Sequence, residues 1–113
     1  MLQLVISKAE RERGHPLRTN MALVLGLSLI FVGALDVATT NLALAAGNFE
    51  ANPLVRALQG AFGPWWALPK MVVHLLFAWF LVWLPSQRMI LIGAGVVVMF
   101  LAIAANNFAL AAA

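Results

Sequence analysis

The sequence contains no cysteine and no tyrosine, and only 10% of its 113 residues are charged. Without cysteine there is no disulfide framework, no thiolate metal site and no cysteine nucleophile. Without tyrosine there is no phenolic acid or nucleophile. The shortage of charge excludes more. A soluble domain carries charge on roughly a quarter of its residues, and so few charges do not cover the surface of a soluble globule. Disorder is excluded as well, because 64% of the chain is apolar and a disordered chain needs low hydrophobicity with high charge. Lys and Arg outnumber Asp and Glu by seven to four, yet Lys8, Arg11, Arg13 and Arg18 are gathered just before a long apolar run. That is not the spread of a nucleic-acid surface. Composition therefore reads as an integral membrane protein whose first partner is the lipid bilayer, with no nucleic acid.

What the chain has in quantity is long apolar sequence, over residues 21–46, 65–84 and 89–113. A spanning helix needs about 20 mostly apolar residues. Lipid admits only helices or closed barrels, and no barrel alternation is present. The expected fold is all-α: a single membrane domain over 1–113, built as a bundle of three transmembrane helices. Two shorter helices are expected beside them. In residues 1–14, Leu2, Val5, Ile6 and Ala9 fall at helical spacing beside a charged cluster, until Gly14-His15-Pro16 breaks the pattern. This predicts an amphipathic helix on the cytoplasmic interface, or else a frayed N-terminus or a segment that contacts a partner, with His15 as a loop residue. In residues 52–60, Asn52 can cap a helix that starts at Pro53. Leu54, Val55 and Leu58 give it an apolar face and Gly60 a stop, so a short helix is expected on the outer interface.

The flanking charges orient the chain. With the N-terminus cytoplasmic, Lys8, Arg11, Arg13, Arg18 and Arg88 lie inside and only Arg56 lies outside, which the positive-inside rule favours. The C-terminus is then outside. Trp65 and Trp66 fall in the outer aromatic belt and Trp83 near the inner one. The first apolar run followed by Ala43-Leu44-Ala45 resembles a cleavable signal, but its basic region is long, so an uncleaved helix is expected.

Polar residues inside the apolar runs single out a candidate site. Gly26, Gly33, Thr40 and Gly47 recur every seven residues, with Asp36 three after Gly33. One stripe of the first span is therefore small and polar, the character of a helix-packing face in membranes. Gly95, Ala102 and Ala109 form a comparable stripe in the third span, with Asn106 four after Ala102. Lys70 and His74, four apart, share a face of the second. At about 1.5 Å per residue, Asp36 lies about 22 Å and Asn106 about 25 Å above the inner surface. Lys70 and His74 lie about 7 and 13 Å below the outer one. Together with Glu50 and Asn52 in the outer connection, these groups gather in the outer half of the membrane, where a shared polar pocket is expected.

Two readings of this cluster stand side by side. In one, Asp36 pairs with Lys70, while Thr40, Asn41, Asn106 and Asn107 complete the hydrogen bonding; charges within a membrane are usually paired in this way. In the other, Asp36, Glu50 and His74 bind a cation or substrate, since carboxylates with an imidazole can hold a divalent metal. No spacing matches a known metal signature, so the metal and any cofactor stay open. A single His74 is slender ground for a haem or pigment ligand. Ser7, Ser28 and Ser86 have no setting that marks a nucleophile, and there is no Gly-rich phosphate loop.

Taken together, Asp36-x-x-Thr39-Thr40, Glu50-x-Asn52-Pro53 and Lys70 resemble the pattern of an uncharacterised family of small multi-pass membrane proteins of bacteria and archaea, over roughly Leu35 to Leu84. The resemblance implies that Asp36, Thr39, Thr40, Glu50, Asn52, Pro53 and Lys70 act as one unit, in a bacterial or archaeal inner membrane. It implies no reaction. The leading expectation is a non-enzymatic protein, as an accessory subunit of a larger membrane complex or as a homo-oligomer. The alternatives are ion or small-solute transport or binding through the pocket, and an intramembrane enzyme with Glu50 or Asp36 as base together with His74.

Overall fold

Two prolines and two side-chain caps fix where the helices begin. The computed structural model describes residues 1–48, 50 and 52–113. Helix α1 covers Leu2–Arg13, α2 Pro16–Ala45, α3 Pro53–Phe62, α4 Ala67–Trp83 and α5 Gln87–Ala112, with a 3₁₀ turn over Gly63–Trp65. Among the described residues there is no strand. Pro16 and Pro53 open α2 and α3 at positions where a missing N–H costs nothing. Asn52 Oδ1 accepts from the Leu54 N–H at 3.0 Å, and Ser86 Oγ accepts from the Met89 N–H at 3.2 Å. Each satisfies one of the orphan donors of a helix start.

Because Pro16 is a helix-starting residue, α2 begins five residues before the first apolar run, which starts at residue 21. Gly60 does not stop α3. The stop is Gly63, at φ 58°, a left-handed conformation that side chains disfavour. From there the axis turns by 111° into α4. Helices α2 and α5 are each long and apolar enough to cross a membrane, and a third crossing arises if α3 and α4 count as one bent span.

Helix α2 lies between α4 and α5 and packs along both. Its first half faces an apolar core in which Ala22 and Leu29 meet Ala78, Leu81 and Ile90. Gly93 of α5 lets this core close, since a Cβ there would lie 3.0 Å from Leu81 Cδ2. This glycine corrects the expected packing stripe of the third span. Gly95, Ala102 and Asn106 are exposed, and nothing lies within 4 Å of a Cβ built on Gly95. The face toward α2 carries Gly93, Val97, Phe100, Ala104 and Asn107 instead. Two residues of helix turn through about 200°, so a stripe displaced by two positions lies on roughly the opposite side. In α2, Gly26 and Gly33 are both buried against α4.

At the other end of the bundle α1 is tied to α4. Arg13 Nη1 donates to the Trp83 carbonyl at 2.6 Å, and its guanidinium lies over the Trp83 ring, 5.6 Å from the centroid. That carbonyl belongs to the last turn of α4, where acceptors have no helical donor. Arg18 pairs with Glu12 across the α1–α2 break.

Candidate functional site

The second half of α2 presents polar side chains where the first half presents the core. Asp36, Thr39, Thr40 and Ala43 follow Val32 and Gly33 on the same buried face. Asp36 is 4% exposed, so its carboxylate needs partners on both oxygens. Lys70 Nζ of α4 donates to Oδ2, and Asn107 Nδ2 of α5 donates to Oδ1 at 3.2 Å. The same amide reaches Thr40 Oγ1 at 3.0 Å and Thr39 Oγ1 at 3.4 Å. Thr39 in turn donates to the Leu35 carbonyl at 2.9 Å. One carboxylate thereby ties all three long helices together. Its partner in the network is Asn107, while Asn106, one position and about 100° away, points outward.

His74 lies one turn along α4 from Lys70. Its Nδ1 donates to the Leu29 carbonyl at 3.1 Å, and its ring meets Phe100 of α5 at 4.7 Å between centroids. The ring rests directly on Gly33, where a Cβ would lie 2.8 Å from His74 Cγ. A histidine fits between α2 and α4 because a glycine faces it. The Lys70 ammonium also lies 4.5 Å from the Phe100 centroid, a favourable contact of cation and ring face.

These groups border a cavity of about 330 Å³. Asp36, Thr40, Lys70, His74 and Asn107 form its polar end, and Leu54, Val55 and Leu58 of α3 line it from the other side with Val73 and Ile103. Glu50 and Asn52 also line it, but they bond to the α3 start rather than to the cluster. Glu50 Oε1 accepts from the Asn52 N–H at 2.9 Å. Asn106 borders a smaller hollow with Asn48, Asn107 and Leu110. Among the described residues, no three His, Asp or Glu side chains converge as a metal site, so Asp36, Glu50 and His74 share a cavity without forming a ligand set.

Phe100 and Asn48 were missed at the level of sequence. Phe100 follows Gly93 by seven and precedes Asn107 by seven, a repeat equal in quality to the one through Gly95. Asn48 Nδ2 donates to the carbonyls of Ala43 and Leu110, both at 3.1 Å, and so joins the end of α2 to the end of α5. No local pattern announces that contact.

Fold and site together define, among the described residues, an all-helical protein with two helices long and apolar enough to cross a membrane and a charged cluster buried where the helices meet. Residues 27–112 match the model of a family described as a domain of unknown function (DUF5658), and the chain belongs to that family. The match contains every residue of the Asp36-to-Lys70 pattern and extends through α5, beyond the stretch on which the resemblance rested. Neither a curated protein nor a solved structure matches the chain.

Proposed function

We propose that this is a multi-pass membrane protein that holds a small, largely apolar solute in the cavity beneath α3, as a binding or transport component rather than an enzyme. The cavity carries the reading. Its volume of about 330 Å³ falls within the roughly 300–1,000 Å³ of small-ligand sites, which are mostly apolar with a few placed polar groups. In this reading α4 is the third span, entered through the bend at Gly63. The N-terminus is cytoplasmic, and the cavity opens in the outer half of a bacterial or archaeal cell membrane. The asymmetry of Lys and Arg in the flanks supports that orientation.

An accessory subunit or a homo-oligomer is the second reading, and one observation favours it. Gly95 and Ala102 lie seven apart on the exposed side of α5, and small residues at helical spacing let a neighbouring helix approach.

The test is purification from native membrane, followed by mass spectrometry of the organic extract. Leu58 lines the cavity, so Leu58→Trp fills it without touching the Asp36 network. A small molecule that accompanies the natural protein and is lost from Leu58→Trp is the expected result. Identical extracts overturn the binding reading. A second polypeptide in fixed ratio with both forms supports the subunit reading instead.

A further inference from the structure

We infer that the solute is an uncharged amphiphile headed by a hydroxyl group, held between Lys70 and His74 with its tail under α3; this rests on the cavity reading above.

The first observation is charge balance. Both oxygens of Asp36 are engaged, one by Lys70 and one by Asn107. An ion entering the polar end therefore meets an opposite charge that is already paired. Glu50 is the other carboxylate of the lining. It is only half-buried and accepts from the Asn52 N–H at the start of α3.

The second observation is a donor and an acceptor left facing the cavity side by side. An ammonium has three N–H donors. Asp36 takes one of those of Lys70 and the Phe100 face lies against the group, which leaves a donor for the cavity. His74 supplies the acceptor. With Nδ1 donating to the Leu29 carbonyl, the neutral ring carries its lone pair on Nε2. His74 is 6% exposed, yet Nε2 is not among the sealed polar atoms without a partner. It has no hydrogen bond among the described residues, and His74 is one of the side chains that line the cavity.

The Lys70 ammonium and the His74 ring both lie against Phe100, 4.5 and 4.7 Å from its centroid, so the two are close neighbours at the polar end and one small group can meet both. That group must accept from Lys70 and donate to His74. A hydroxyl does both. A carbonyl or ether only accepts, a carboxylate brings an uncompensated charge, and an ammonium only donates. Leu54, Leu58, Val73 and Ile103 offer the remainder of the ligand nothing but apolar surface, which fits a hydrocarbon tail.

The experiment uses the full chain in phosphatidylcholine nanodiscs and four probes with one tail: dodecanol, its methyl ether, dodecylamine and dodecanoate. Specific binding is the radiolabelled probe displaced by unlabelled excess. Expected is saturable dodecanol binding, about tenfold tighter than the ether, the worth of roughly one hydrogen bond. Leu58→Trp abolishes it. His74→Phe keeps a ring between Gly33 and Phe100 and reduces the alcohol-to-ether ratio to near one, which a purely structural role for His74 would not do. Should that variant fail to fold, the ratio in the natural protein still decides. Equal or tighter binding of the ether, the amine or the carboxylate overturns the hydroxyl head while leaving the cavity reading in place. No Leu58→Trp-sensitive binding of any probe overturns both.

Discussion

Asp36 takes its weight from where its partners sit. Lys70 and Asn107 come from different helices, so removing the carboxylate's charge leaves the Lys70 ammonium without its counter-charge, while the Asn107 amide keeps only its threonine acceptors. Breaking a buried pair from one side typically costs about 3–5 kcal/mol. Asp36→Asn should lower unfolding stability in detergent by that order, and Lys70→Met should restore much of it in the double variant. Unfolding midpoints of the two single variants and the double variant, read by circular dichroism, check this. No loss in Asp36→Asn would sink the idea that the pair holds the helices together. The glycines offer a sharper contrast. Gly33→Ala drives a Cβ to 2.8 Å from His74 Cγ, and overpacking of this kind costs about 1–3 kcal/mol. Gly95→Ala meets open space and removes a helix-interior glycine, so it should be neutral or stabilising by up to about 1 kcal/mol. Sequence alone ranks both glycines as packing residues; their unfolding midpoints should move in opposite directions.

Helix α3 behaves differently from the long helices because it contributes no buried residue. It is held by its cap, by Gly63 and by the side chains it lays over the cavity. Asn52→Ala removes the cap at about 0.5–2 kcal/mol. Hydrogen exchange should then quicken across residues 53–62 and stay unchanged in α2 and α5. Uniform acceleration would contradict this local role. The existence of such an element was readable from Asn52-Pro53 and the apolar spacing after it, because capping chemistry is local. Its end was not, since Gly60 and Gly63 are both plausible stops and only the backbone distinguishes them. The packing face of α5 was unreadable for a related reason. In a helix that is apolar all round, hydrophobic periodicity does not mark the inner side. Gly93 and Gly95 differ only in whether Leu81 stands opposite. The Asp36–Lys70 pair was the part of the cluster most open to sequence reasoning, because a charge in an apolar run must be compensated. Asn107 in place of Asn106 depended on a rotation that no residue type encodes.

The arrangement of the whole chain around α2 gives the orientation a direct test. Since the sequence has no cysteine, Ser7→Cys and Gly60→Cys each introduce a single thiol on exposed helix surface. In intact cells an impermeant maleimide should label the Gly60 variant and reach the Ser7 variant only after lysis; the reverse pattern would invert the proposed topology. The long helices also differ in length. Helix α2 has 30 residues and α4 only 17, about 45 Å against about 25 Å of rise. A bilayer core is about 30 Å thick, so in the proposed topology, with α4 as a span, the two make opposite hydrophobic mismatches within one small protein. Lipid beside α2 is met by a helix long enough to tilt, whereas lipid beside α4 must thin to follow it. In the proposed topology Arg13 holds the inner end of α4, and that thinning falls at the outer end, where the axis bends into α3. In that topology the leaflet is lowest beside the cavity mouth, and the proposed ligand would enter through a sidewall made of acyl chains.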